Sequence, residues 1–167
     1  MVLETVAVFG RAVARIEQAS YYCSNEGSNV IRGCVMAAGY GSAAALIGQA
    51  QVVLDQAEAA DEAGERFRLA HLAALRVAAA VLAERGRPAS ARRRLMNVWV
   101  LLDIVGPEFA DWSRFFAAGA PIRAAVEAGA LHAVTTRQAD DQVRAAGEFL
   151  RLVECGLGML AVPRLAS

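Results

Sequence analysis

The sequence predicts an all-α protein: an up-and-down four-helix bundle with an N-terminal helical arm and a short extra helix between the third and last core helices. Three observations predict it. After Ser42, apolar residues return at steps of three and four, the stripe that a helix buries against its neighbours. Glycine, proline and small polar residues stand where those stripes begin and end. No segment alternates apolar and polar residues over the length of a sheet strand, and short links between helices make neighbours antiparallel. The pattern divides the chain into an arm over 1–41, a bundle over 42–155 and a tail over 156–167.

In the arm, Val2–Gln18 puts Val6, Phe9, Val13 and Ile16 on one helical face, which needs something apolar to pack on. Ser20–Asn29 is polar and turn-rich, Val30–Met36 is a short apolar run, and Gly39 and Gly41 make a joint. The first core helix runs from Ser42 to about Ala60, with Leu46, Ala50, Val53, Ala57 and Ala60 along its stripe.

The central helix covers Glu65–Arg85. Phe67, Ala70, His71, Ala74, Leu75, Ala78, Val81 and Leu82 form its apolar face, opposite Glu65, Arg68, Arg76 and Glu84. Gly86 caps it and Pro88 follows as a stop. Leu95, Val98, Trp99, Leu102 and Val105 mark the third core helix, closed by Gly106-Pro107. Phe109, Trp112 and Phe116 continue the stripe on a short helix ending at Gly119. Pro121 then opens another helical stretch that Gly129 stops. Thr135 and Gln138 have the spacing of a capping box for the last helix, whose buried face is Val143, Ala146, Leu150 and Val153.

Seventeen basic and seventeen acidic residues cancel in a chain of 167. No overall field therefore draws it to nucleic acid or an anionic membrane. Charge or glycine interrupts every apolar run well short of the ~20 residues of a membrane helix, and the N-terminus lacks the basic-then-apolar order of a signal peptide. The expectation is a cytoplasmic protein without a membrane span. Cys23, Cys34 and Cys155 are an odd, scattered set, which suits reduced thiols rather than a zinc site. Neither a metal nor a cofactor is expected.

Few residues carry candidate chemistry. Arg87–Arg94 is the one basic cluster: Arg92, Arg93 and Arg94 are either a solvated loop or a phosphate-contacting patch, to which Arg76 would add. No aromatic residue interleaves them, as base stacking would require. Trp112, Phe115 and Phe116 suit a core or a dimer interface, both places where large aromatics concentrate. His71 reads as a core histidine bonded to Asp103 or Asn97. Arg76 is a surface group or pairs with Asp140 or Asp141, two carboxylates that the macrodipole explains near a helix N-terminus. His132 reads as surface.

The stretches FRLAHLAALRVAAAVLAERGRP at Phe67–Pro88, NVWVLLDIVGPEFADWSRFFAAGA at Asn97–Ala120, RAAVEAG at Arg123–Gly129 and ADDQVRAAGEFLRLVE at Ala139–Glu154 resemble the HEPN superfamily, and within it the actinobacterial SAV_6107-like HEPN proteins. The resemblance spans Ser42–Glu154. It implies a helical bundle that often forms a homodimer, in a superfamily with many metal-independent RNases. In those enzymes an arginine, four to six residues and a histidine form the site, where the cations position phosphate and assist the ribose 2′-hydroxyl. Here only Arg66 and His71 match that spacing, and the resemblance makes them the candidate catalytic pair. Phe67 stands where those enzymes have a polar residue, the pair lies earlier than their motif, and five helical residues turn the two side chains roughly 140° apart. The function expected is a non-catalytic interaction or nucleic-acid-associated HEPN-like module. The alternatives are a metal-independent RNase using Arg66 and His71, or a structural dimer that binds protein partners.

Overall fold

A computed structural model describes residues 42–86 and 96–158. The N-terminal arm, the basic cluster with Arg92, Arg93 and Arg94, and the tail from Met159 lie outside the described residues. Among the described residues there are five α-helices and no strand: α1 Ala43–Ala59, α2 Ala63–Arg85, α3 Val98–Val105, α4 Ala110–Glu127 and α5 Thr136–Gly156. Single 3-10 turns at Pro107–Phe109 and Leu131–Ala133 precede α4 and α5.

Each helix begins and ends for a local reason. The Ser42 hydroxyl accepts the Ala45 N–H at 3.2 Å and starts α1. The Asn97 side-chain oxygen accepts the Trp99 N–H at 3.1 Å and starts α3. Thr135 and Gln138 form the expected capping box at α5, each side chain bonding the other's backbone N–H. Gly86, at φ 79°, ends α2 in a conformation that a side chain resists, and its N–H returns to the Leu82 carbonyl.

α2 is the axis and packs against each of the other helices. Its buried set is wider than one stripe, since Ala73, Val77 and Ala80 join Phe67, Ala70, His71, Ala74, Ala78 and Val81. Alanine permits this because a single methyl lets neighbouring helices approach from several sides without leaving a void. Phe116 is the hub of the core: Trp99 stacks on it at 5.2 Å and Trp112 at 6.1 Å, while Phe115 meets it edge-on at 5.0 Å and Phe149 lies tilted at 5.6 Å. Each ring removed from water this way contributes about 1.5–3 kcal/mol.

Two expectations are corrected. No break occurs at Gly119 or Pro121, because α4 runs through both. Pro121 is exposed, so its ring meets solvent, and the helix gives up one backbone bond there. The third long helix is therefore α4, and the short one is α3, which lies before it. The dimer interface drawn from Trp112, Phe115 and Phe116 is replaced by burial: they are 4%, 2% and 0% exposed within one chain. α4 turns them inward between α2, α3 and α5, and little ring surface is left for a partner.

Candidate functional site

His71 lies in the N-terminal half of α2 and is 1% exposed. Its ring is boxed by aromatic side chains: Phe67 stacks at 6.3 Å, while Trp99 at 5.7 Å and Phe116 at 6.2 Å meet it edge-on. The backbone of α4 closes a further side at Gly119, where a Cβ would stand 3.2 Å from the imidazole Nδ1 and 3.3 Å from the Phe67 ring. Glycine is there for close approach between α2 and α4, which is why it does not act as a helix stop. From α5, the fully buried Gln142 places its side-chain nitrogen 3.4 Å from Nδ1 and donates to it.

The physical state of the ring follows from these neighbours. Burial first, then the positive charge of Arg123, lowers the pKa of His71 to about 4. A charged imidazole here would lose its hydration among aromatic rings and face a like charge. At neutral pH the ring is uncharged, and loading a proton at pH 7 would cost about 4 kcal/mol. Two polar atoms near it accept or donate no protein hydrogen bond, the buried Oε1 of Gln142 and Nε of Arg123. The latter lies 3.5 Å from Glu127 in an ion pair.

Arg66, the expected companion of His71, is held elsewhere. Its Nη1 donates to Asp140 at 2.6 Å, its Nε to the Ala60 carbonyl at 3.0 Å and its Nη2 to the Asp61 carbonyl at 3.2 Å. The guanidinium thereby ties the α1–α2 link to the first turns of α5. It sits at the rim, while His71 is turned into the aromatic core.

The remaining expectations sort as follows. Gln142, and neither Asp103 nor Asn97, bonds His71: Asp103 is exposed and Asn97 is spent on the α3 cap. Arg76 donates to the Gln49 carbonyl at 3.1 Å rather than to Asp140 or Asp141. Asp140 takes Arg66, and Asp141 pairs with Arg144 one turn on. His132 is exposed. Arg92, Arg93 and Arg94 fall in the stretch not described. Among the described residues no cluster of three His, Cys, Asp or Glu side chains is placed to hold a metal ion, and no helix is long and apolar enough to cross a membrane.

Gln142, Arg123 and Gly119 are the neighbours of His71 that periodicity did not single out. Gln142 carried a usable signal. It falls on the same face as Ala146, Phe149 and Val153, and an amide at a core position needs a buried partner.

Fold and site together define an all-helical bundle domain with a polar contact sealed between α2 and α5. The family model for SAV_6107-like HEPN domains matches residues 57–154, more than half of the chain, and the protein belongs to that family. No curated protein and no solved structure matches it.

Proposed function

We propose that this HEPN domain is a non-catalytic interaction module of the cytoplasm, working as a homodimer through its surface rather than through the Arg66 and His71 pair. The observation that carries the reading is the burial of His71. A general base must reach the proton it removes and titrate near the working pH, whereas this imidazole is 1% exposed with a pKa of about 4. Arg66 adds support, since its donors are committed to Asp140 and two carbonyls and none is aimed toward the ring. The buried imidazole then has a structural role, joining α2 to α5 through Gln142.

The test is incubation of the full chain with a mixed single-stranded RNA pool in EDTA. The expected result is no cleavage beyond that of His71→Gln. Cleavage by the wild type that disappears in a folded His71→Ala protein would overturn the reading.

A further inference from the structure

Among the described residues, three buried side-chain atoms make no hydrogen bond to protein: Oγ of Ser113, Nε of Arg123 and Oε1 of Gln142. Two of them belong to neighbours of His71. Gln142 on α5, itself 0% exposed, spends its side-chain nitrogen on Nδ1 at 3.4 Å and leaves its oxygen over. Arg123 follows Gly119 by one turn of α4, and a Cβ at Gly119 would stand 3.2 Å from that same Nδ1. The imidazole therefore has an orphaned acceptor on its α5 side and an orphaned donor on its α4 side. Ser113 lies six residues before Gly119, roughly 9 Å along α4, and belongs to another part of the core.

We propose that one buried water molecule sits beside His71, accepting the Nε–H of Arg123 and donating to Oε1 of Gln142. Three observations select water as the ligand. The first is pairing. Buried polar atoms in folded proteins are nearly always bonded, to protein or to ordered water. The two orphans are one donor and one acceptor, and a single water molecule serves both.

The second is charge. The guanidinium of Arg123 is already paired with Glu127 at 3.5 Å, so an anion would find its charge taken. Phe67, Trp99 and Phe116 box the ring on other sides and offer an ion no compensation for lost hydration. A neutral molecule with both hydrogen-bonding roles suits the place.

The third is commitment. A direct bond between Nε and Oε1 would have to draw Gln142 off Nδ1 or Arg123 off Glu127, whereas a bridging water leaves both contacts standing. The Arg123 side chain is 29% exposed, so its outer end gives the water a route to solvent. His71, Gln142, the water and Arg123 then form one hydrogen-bonded chain that joins α2, α5 and α4.

The test is oxygen-17 relaxation dispersion of the solvent on the full chain, which registers waters held longer than the protein takes to tumble and is blind to proton exchange. The wild type should exceed Gln142→Leu by the equivalent of about one water per chain. Arg123→Met should show the same loss, since a water left with one partner is not held. Circular dichroism and a cooperative urea transition confirm that each variant is folded. A wild-type amplitude kept in either folded variant would overturn the proposal. In the wild type alone, a rotating-frame Overhauser cross-peak between water and the Gln142 side-chain amide protons is expected, and its absence would overturn the proposal equally.

Discussion

Lowering the pH from 7.5 to 4 should remove about 3 kcal/mol of stability through one side chain, His71. An ordinary histidine titrates at 6.5, and burial together with Arg123 brings His71 down to about 4. The folded value is the depressed one, so below pH 6.5 the unfolded chain takes up a proton that the native ring refuses. The contribution is complete above pH 6.5, shrinks as the pH falls toward 4 and changes no further below that. At about 1.4 kcal/mol per pH unit, the gap amounts to about 3 kcal/mol. That is a large share of the ~5–15 kcal/mol that holds a typical domain. Urea unfolding followed by circular dichroism, stepped from pH 7.5 to 4 on wild type and His71→Gln, isolates the effect, because carboxylates titrate in both and cancel. The wild-type midpoint should fall by roughly 1.5 M urea more than that of the variant. Parallel profiles would show that the imidazole is solvated in the native state, and the account of the site would fail.

Two further substitutions probe the packing around it. Gly119→Ala sets a methyl 3.2 Å from His71 and 3.3 Å from Phe67; overpacking of about 1–3 kcal/mol should outweigh the ~1 kcal/mol gained in helix propensity, and a melting temperature above wild type would contradict the close approach of α2 and α4. Arg66→Met removes donors from two carbonyls and a carboxylate and should cost about 1–2 kcal/mol. Asp140→Asn, at a site 54% exposed, should cost under about 1 kcal/mol. Urea midpoints that reverse this order would show that the salt bridge, rather than the α1–α2 link, is what Arg66 serves.

Much of the architecture was legible before any coordinates. Thr135 and Gln138 form the capping box that their spacing predicted, and Gly86 ends α2, whereas Asn97, read from sequence as a partner of His71, caps α3. The first two are contacts within one helical turn, set by residues a few positions apart, so sequence displays them directly. The family was legible for a related reason: the motif stretches from Phe67 to Glu154 lie within the matched region.

The misreadings share one cause. Gly119 and Pro121 carry the local chemistry of a helix end, yet the helix passes through them because Gly119 is needed flat against His71 and Phe67. Trp112, Phe115 and Phe116 suit an interface or a core equally well, and only the path of α4 turned them inward. Gln142 was passed over because its partner lies 71 residues earlier in the chain.

By itself the sequence determined helix type, the helix ends at Gly86 and Thr135 and a central apolar helix, since these depend on periodicity and on groups within one turn. Tertiary structure alone decided that the core histidine His71 bonds Gln142 rather than Asp103 or Asn97, and that Arg66 serves the α1–α2 link. Those outcomes depend on which side chains meet across helices, and that depends on how four helices settle around α2, a relation that no local spacing records.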